Sequence, residues 1–354
     1  MLDGDRLYAL KEEPLEIARH EYEVLRRLEA DELPAVAPVG LAEAPDGSEA
    51  ILVTSYLAHS LQYRRLLMRL GSGSEPYRDR LLDAMASLLV DLHRGGVYWG
   101  DCSLANTLFR RDGDRIQAFL VDAETSEVHP SLSEGQRAYD LEVLVENVAY
   151  GLADLAAYQG RAEELDTAIA EAESVRTRYR ALWDELHAEV QLGADDRFAV
   201  GARVRRLNDL GFSVDEIELE PGDRAGKLRL RVAVTTRRFH IRELERLTGI
   251  RALEGQARIL MNDLRQYRAW LEWFEKRTMD RAAGAARWLH DVYEPTLARL
   301  RSAIHADRDL VQAYCDVLEH KWLLSEKAGR DVGLEKAIAS YLAIGAPAPE
   351  AEPV

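Results

Sequence analysis

The fold is decided by the stretch Tyr98-Trp99-Gly100-Asp101-Cys102-Ser103-Leu104-Ala105-Asn106. In it an acid, Asp101, is followed five residues later by an amide, Asn106. A second acid closes a later apolar run in Leu120-Val121-Asp122-Ala123-Glu124. Magnesium takes hard oxygen ligands, which carboxylates and amides supply. The two stretches therefore predict a polar site that combines an acid with a magnesium-binding pair, Asn106 and Asp122.

The segment between these motifs predicts a β-hairpin. Residues 107–110 and 116–121 have the composition of strands, and Asp112-Gly113 between them is a turn signal. A hairpin returns the chain to its start, so Asn106 and Asp122 are expected to emerge side by side. The alternatives are an Asx turn at Asn106 and an ordinary acidic loop at Asp122.

Acid, amide and acid follow the order of the catalytic loop and the metal-binding loop of kinases. Phosphoryl transfer needs one carboxylate at the acceptor hydroxyl, here Asp101. It also needs an amide oxygen and a second carboxylate on Mg²⁺, here Asn106 and Asp122. The expected cofactors are therefore ATP and Mg²⁺, and the expected acceptor is a hydroxyl group.

A kinase site also uses a lysine for the nucleotide phosphates and a glutamate to hold it. Lys11 lies in a strand-like stretch, and a helix follows with Pro14 at its start. Glu21 falls at helical spacing between Ile17 and Leu25, on the apolar face that also includes Val24 and Leu28. A carboxylate on a buried face needs a cation or hydrogen bonds. Lys11 and Glu21 are thus expected to pair, with the more solvated Glu23 as the second choice and a surface role for Lys11 as the alternative.

Residues 50–57 form an apolar strand that ends in a short polar link, the expected hinge between two lobes. Ser55 and Leu57 in this link are expected to contact the nucleotide. A long amphipathic helix over residues 81–92 then stops at Gly95-Gly96 and delivers the chain to Tyr98. Asp140 is the candidate for bracing the catalytic-loop backbone, although a first-turn helix acid is the alternative.

Four phrases carry a family resemblance: Trp99-Gly100-Asp101-Cys102-Ser103, Val121-Asp122-Ala123-Glu124-Thr125, the segment 206–212, and Leu318-Glu319-His320-Lys321-Trp322. Residues 6–150 resemble the lipopolysaccharide-kinase (Kdo/WaaP) branch of the protein-kinase-like superfamily. The whole chain resembles a bacterial family, domain of unknown function 4032, in which a kinase-like part precedes a helical part. The resemblance implies a nucleotide-binding fold and no particular substrate, because fold does not fix function.

The chain departs from the kinase pattern in three places. Trp99 stands where a histidine usually precedes the catalytic acid, and Ala123-Glu124 replaces Phe-Gly after the metal acid. No glycine-rich phosphate loop precedes Lys11. We interpret this as a late start of the chain rather than a site without its lid, because missing strands would leave an unpaired sheet edge.

Composition sets wider limits. A length of 354 residues fits two domains, and a net charge of −16 argues against nucleic-acid binding. The sequence has no signal peptide and no apolar run long enough for a transmembrane segment. Cys102 and Cys315 are too few for a disulfide framework. A cytoplasmic location is the simplest expectation.

The predicted fold class is α+β, a two-lobed protein-kinase-like fold with a truncated N-lobe sheet, followed by a mainly helical domain containing one hairpin. The predicted domains are a kinase-like domain over 1–158 (N-lobe 1–55, C-lobe 58–158), a solvated helical connector or coiled arm over 159–193, a helical domain over 194–344 with a hairpin at 213–235, and a disordered tail over 345–354. Trp270, Trp273, Trp288 and Trp322 are expected to anchor the core of the helical domain.

The favoured function is an ATP/Mg²⁺-dependent phosphotransferase acting on a sugar, glycolipid or protein hydroxyl. In such an enzyme, Lys11 contacts the phosphates of ATP and is held in place by Glu21. The alternative is a nucleotide-binding pseudokinase, whose C-terminal domain is an interaction module for a protein partner. The complete set of Asp101, Asn106 and Asp122 favours the enzyme, and the absent phosphate loop favours the pseudokinase.

Overall fold

The computed structural model describes residues 2–3, 6–69, 75–161, 165–188, 190–193, 202–207, 210, 212, 214–221, 227–234, 237–306 and 308–347. The chain divides into two compact units. Unit 1 comprises Met1–Arg110 and Ile116–His187, and unit 2 comprises Arg111–Arg115 and Ala188–Val354.

Unit 1 begins with a four-stranded antiparallel sheet. In spatial order its strands are β1 (Leu2–Asp3), β2 (Arg6–Pro14), β4 (Glu49–Ser55) and β3 (Pro38–Glu43). Helix α1 (Leu15–Ala30) follows β2 directly and packs on β3 and β4. Because β2 passes straight into α1, side chains at the end of the strand lie close to the first turns of the helix.

Helix α1 starts after Pro14, whose restricted φ suits a helix start. Its buried positions repeat at helical spacing and are Leu15, Ala18, Glu21, Val24, Leu25 and Leu28. The expectation that Ile17 shares this face is wrong, because Ala18 takes the inward position and Ile17 is 40% exposed. Glu21 is the one carboxylate in the buried stripe.

The second sheet of unit 1 contains the predicted hairpin. Strands β7 (Thr107–Asp112) and β8 (Arg115–Leu120) are neighbours, and β5 (Ser60–Gln62) pairs with β7 on the other side. A parallel bridge joins Ala35 to Leu120, so the segment after α1 reaches the end of β8. A small ladder of β6 (Val97–Tyr98) and β9 (Glu127–Val128) flanks the segments that carry Asp101 and Asp122.

Three long helices follow in unit 1. After the short α2 (Tyr63–Arg69) come α3 (Glu75–Arg94), α4 (Glu134–Tyr158) and α5 (Leu165–His187). Ser133 caps α4 in a capping box with Gln136. Helix α5 falls in the predicted connector, but it is not a solvated arm. It packs on α3 and α4, and burial of apolar residues such as Val175 and Tyr179 is the physical reason.

Unit 2 contains a three-stranded antiparallel sheet in the order β10 (Val190–Gly193), β12 (Lys227–Val234), β11 (Val214–Pro221). The predicted hairpin is β11–β12, and its turn lies outside the described residues. Strand β10 has no counterpart among the predicted elements. The helices are α6 (202–207), α7 (Phe239–Thr248), α8 (Glu254–Glu275), α9 (Arg281–Trp288), a π-helical turn (Leu289–Tyr293), α10 (Glu294–Arg301), α11 (Leu310–Ala328) and α12 (Leu334–Ala343).

The short segment Arg111–Arg115 is an integral part of unit 2. The Asp112 carboxylate accepts hydrogen bonds from the backbone N–H groups of Gly255 and Gln256, each at 2.8 Å, and so caps α8. Gln312 accepts from the Gly113 N–H and donates to the Gly113 carbonyl, both at 2.9 Å. These bonds satisfy buried backbone groups that would otherwise lack partners.

The tryptophan prediction is mostly wrong. Trp288 is fully buried and packs with Tyr293 and Tyr314, as expected of a core anchor. Trp270, Trp273 and Trp322 are instead 51%, 75% and 61% exposed. The core of the helical unit is filled largely by smaller residues such as Leu260 and Ala313, so it does not enclose these three rings. Among the described residues, no helix is long and apolar enough to cross a membrane.

Candidate functional site

Lys11 lies at the centre of a cluster of four carboxylates in unit 1. Its Nζ atom is 3.0 Å from Glu21 on α1 and 3.0 Å from Asp122 after β8. Glu13 on the same strand is 2.5 Å away, and Glu124 is 3.4 Å away. The structure therefore contains the predicted contact between Lys11 and Glu21 and brings Asp122 to the same ammonium group.

The Glu21 carboxylate connects α1 to the loop after β8. Its Oε2 atom accepts from Lys11, and its Oε1 atom accepts from the Ala123 backbone N–H at 3.0 Å. Burial raises the pKa of Glu21 to about 7, against the opposing effect of these two hydrogen bonds. Glu23 is exposed, so the helix face was predicted correctly at this point.

The environment of Lys11 favours its charged form. Burial alone would lower the pKa of Lys11, but hydrogen bonds with Glu13, Asp122 and Glu21 outweigh burial and raise this pKa. The side chain is 37% exposed, so the ammonium is held by protein carboxylates and still faces the open side of the cluster. A fixed, partly exposed cation of this kind suits an anionic ligand such as a phosphate.

Glu13 and Glu124 are neighbours of Lys11 that no sequence motif predicted. A signal for Glu13 was present, because residues two apart in a strand face the same side. Glu124 lies two residues after Asp122 in the same loop, and its N–H donates to the Asp122 carboxylate at 3.3 Å. Because this loop has no regular periodicity, the direction of the Glu124 side chain could not be predicted from the sequence.

Asp101 and Asn106 contact each other directly. The Asn106 side-chain N–H donates to Oδ2 of Asp101 at 2.9 Å. The Asn106 backbone N–H donates to the Ser103 hydroxyl at 3.2 Å, which shapes the tight loop between them. The Asp101 side chain is exposed, so its carboxylate is accessible from solvent.

The hairpin brings Asn106 and Asp122 together as predicted from its turn. The Val121 backbone N–H donates to the Asn106 carbonyl at 3.1 Å, which places Asp122 one residue beyond this contact. One carboxylate and one amide oxygen fit magnesium, which commonly keeps water and takes phosphate oxygens as its other ligands. Within the described ranges, no group of three or more His, Cys, Asp or Glu side chains is arranged to hold a metal ion.

Asp140 braces the backbone of the loop that leads to Asp101. Its buried carboxylate accepts from the backbone N–H groups of Trp99 at 2.7 Å and Gly100 at 2.9 Å. Gly100 has φ +81°, and a side chain there would approach the Thr125 carbonyl oxygen to 2.9 Å. The loop conformation before Asp101 therefore depends on glycine and on the Asp140 carboxylate.

Residues from α3, α4 and α5 extend this brace. His93 on α3 places Nε2 3.1 Å from Asp140 and Nδ1 2.8 Å from the Tyr179 hydroxyl on α5. Burial lowers the pKa of His93, which favours its neutral form. Asn147 on α4 donates to the Cys102 carbonyl at 3.0 Å. None of these three side chains has a motif signal in the sequence.

Cys102 is a buried, packed residue. Burial, and after it the nearby Asp140 carboxylate, raises the pKa of the Cys102 thiol well above its usual value. A buried thiol of this kind is a poor nucleophile, because the thiolate is the reactive form.

The two predicted hinge residues lie at the end of β4. The Ser55 N–H donates to the Ala37 carbonyl at 2.8 Å, and the Leu57 carbonyl accepts from the Ser60 hydroxyl at 2.7 Å. Both residues are half-buried. Their contact with a nucleotide stays a prediction.

A lysine–glutamate pair beside the loop that carries Asp122, next to an acid–amide loop braced by a buried aspartate, is the arrangement expected of a protein-kinase-like domain. The fold class expected from the sequence is confirmed. Residues 7–158 match the family model described as lipopolysaccharide kinase (Kdo/WaaP) family, and residues 181–344 match the one described as domain of unknown function (DUF4032). The Kdo/WaaP resemblance is thus confirmed over residues 7–158, and the DUF4032 resemblance is confirmed over residues 181–344 rather than over the whole chain. None of the curated proteins matches the chain significantly.

Solved structures with similarity include WaaP in complex with acyl carrier protein. It is 20% identical with a TM-score of 0.35, and the alignment covers 51% of this chain and 83% of that one. The yeast RNA Pol II CTD kinase CTDK-1 complex is 16% identical with a TM-score of 0.28, covering 36% of this chain and 41% of that one.

Proposed function

We propose that unit 1 is an ATP- and Mg²⁺-dependent phosphotransferase that acts on a hydroxyl acceptor. The observation that carries this proposal is the Lys11 ammonium, 3.0 Å from both Glu21 and Asp122. The Lys11 ammonium thus links strand β2, which would contact the nucleotide phosphates, to the loop after β8, which would hold the metal. A surface lysine would need no buried glutamate as its partner.

Each residue has a distinct role in this proposal. Lys11 binds phosphate oxygens and Glu21 orients it, while Asn106 and Asp122 hold the metal. When bound, ATP would supply the phosphoryl group, and Mg²⁺ would neutralise part of the negative charge on the phosphates. Ser55 and Leu57 are the proposed contacts for the rest of the nucleotide.

Asp101 is the proposed base for the acceptor. Its exposed carboxylate orients the hydroxyl and takes its proton as the new phosphorus–oxygen bond forms and the bond from phosphorus to the ADP leaving group breaks. The hydrogen bond from Asn106 fixes this carboxylate next to the metal ligands. The proposed acceptors are sugar, glycolipid or protein hydroxyls.

Asp101→Asn tests the proposal because it removes the base and retains the shape of the side chain. We expect transfer of labelled phosphate into cell extract to fall at least about 100-fold, while nucleotide binding measured by calorimetry stays within about twofold. Glu146→Gln, an exposed change on α4, is the matched control. Equal transfer by Asp101→Asn and the parent would remove Asp101 from the mechanism.

The same experiment separates an enzyme from a pseudokinase. A parent protein that binds Mg²⁺-ATP but transfers no phosphate across extracts and purified sugar, lipid and protein acceptors would support a nucleotide-binding interaction module. A parent protein that binds no nucleotide would overturn both functions.

A further inference from the structure

Glu13 is a buried carboxylate for which the proposed function gives no role. It lies on β2 two residues after Lys11, so the two side chains are on the same face of the strand. Its side chain is only 5% exposed. Glu12, between them, faces the opposite side and is exposed. Position in the strand therefore directs Glu13, and not Glu12, toward the Lys11 cluster.

Burial of Glu13 is costly in isolation. One oxygen, Oε1, is 2.5 Å from Lys11 Nζ, the shortest contact in the cluster. The other oxygen, Oε2, is buried and has no hydrogen-bond partner among the described residues. A carboxylate in such a place needs a cation to compensate for lost hydration. Lys11 is the cation that Glu13 contacts.

The four carboxylates around Lys11 differ in how they are held. Glu13 on β2 and Glu21 on α1 are almost fully buried on regular elements. Asp122 and Glu124 lie on a loop and are 26% and 43% exposed. An ammonium has three N–H donors. Two of these N–H donors can stay with Glu13 and Glu21. The third then faces the loop with Asp122 and Glu124, where phosphate and metal are proposed to bind.

We propose that Glu13 is a second positioning residue for Lys11, holding the ammonium from the strand side while Glu21 holds it from the helix side. This inference rests on the proposed function. Without Glu13, the ammonium loses its nearest anchor and moves toward Asp122 and Glu124. It then competes with the metal for the loop carboxylates and is less well placed for phosphate.

Glu13→Gln tests this role because it removes the charge and retains the shape. We expect the KM for nucleotide and the Mg²⁺ concentration at half-maximal activity each to rise about fivefold, with kcat within about twofold of the parent. Glu12→Gln is the matched control on the same strand and should leave all three unchanged. Values for Glu13→Gln equal to those of Glu12→Gln would overturn the proposal.

A second measurement needs no nucleotide and so separates failure of this inference from failure of the proposed function. Glu13→Gln should lower the thermal unfolding midpoint of the parent, because it removes a charge partner from Lys11. In a Lys11→Met background it should raise the midpoint, because it removes a buried charge that has lost its cation. Even if Glu13→Gln alone fails to fold, the double variant should be more stable than Lys11→Met. If Glu13→Gln leaves the unfolding midpoint of Lys11→Met unchanged or lowers it, the proposed pairing of Glu13 with Lys11 is wrong.

Discussion

Asp140 accepts a hydrogen bond from the backbone N–H of Trp99 at 2.7 Å, across 41 residues of sequence. With the second bond from Gly100, this contact fixes the chain immediately before Asp101. The carboxylate is fully buried, and backbone donors and His93 stabilise it. The orientation of the proposed base thus depends on a residue outside its own loop.

Asp140→Ala is expected to destabilise the protein by about 2–4 kcal/mol, because two buried N–H groups lose their acceptor. Asp140→Asn keeps one acceptor oxygen and should cost less. Both changes should lower kcat for phosphate transfer more than they raise the KM for nucleotide, since Lys11 and Glu21 are untouched. Denaturant unfolding and steady-state kinetics measure these effects. Glu142→Gln, exposed on the same helix, is the control.

Glu21→Gln is expected to raise the dissociation constant for Mg²⁺-nucleotide about tenfold at pH 8. Burial raises the pKa of Glu21 to about 7, so the parent loses the Glu21 charge as pH falls below that value. The parent and Glu21→Gln should therefore differ less at pH 6 than at pH 8. Calorimetric titration at both values measures the difference. Glu23→Gln should bind like the parent at each pH, and an equally large effect there would contradict the assignment of the helix face.

Asp122→Ala tests the metal site. Mg²⁺ and ATP together should raise the unfolding midpoint of the parent more than either alone, because ligands that bind only the folded state stabilise it. The variant loses a carboxylate ligand and should lose most of this synergy, while a smaller shift with ATP alone remains. An undiminished Mg²⁺-dependent shift in Asp122→Ala would rule out Asp122 as a metal ligand.

The buried Asp112 carboxyl should make the free energy of unfolding of the helical unit depend on pH. Burial raises its pKa from an ordinary 3.8 to about 6, so the folded state binds a proton more tightly than the unfolded state. The resulting stabilisation is complete below about pH 4 and is lost as pH rises through about 6, by up to about 3 kcal/mol.

The amides of Gly255 and Gln256 report this effect locally, because both donate to Asp112. The free energy of opening, obtained from hydrogen exchange, should fall between pH 4 and pH 7 in the parent and change less in Asp112→Asn. Asp114→Asn, a half-exposed acid in the same turn, is the control. An identical pH dependence in parent and Asp112→Asn would contradict the assignment.

Much of the candidate site followed from local sequence. Asp112-Gly113 predicted a hairpin, and a hairpin necessarily joins Asn106 to the residue before Asp122. Helical spacing placed Glu21 inward and Glu23 outward. These inferences hold because strand and helix periods are set by the backbone and do not depend on the rest of the fold.

Predictions that required packing were less accurate. Trp273 and Trp288 are the same residue type in neighbouring helices, yet only Trp288 is buried. Ile17 and Ala18 are adjacent, and the smaller residue faces the core. Which of several apolar residues is enclosed depends on the space left by other elements, and one segment alone does not define that space.

Local sequence was sufficient to predict the class of fold, the hairpin with its acid, amide and acid, and the inward direction of Glu21. Long-range packing was needed to bring four carboxylates to Lys11, to place Asp140 against Trp99 and Gly100, and to make Arg111–Arg115 part of the helical unit. The physical reason is the range of the interactions. Turns, caps and periodicity act within a few residues, whereas buried charges find partners wherever folding brings opposite charges or unpaired donors together.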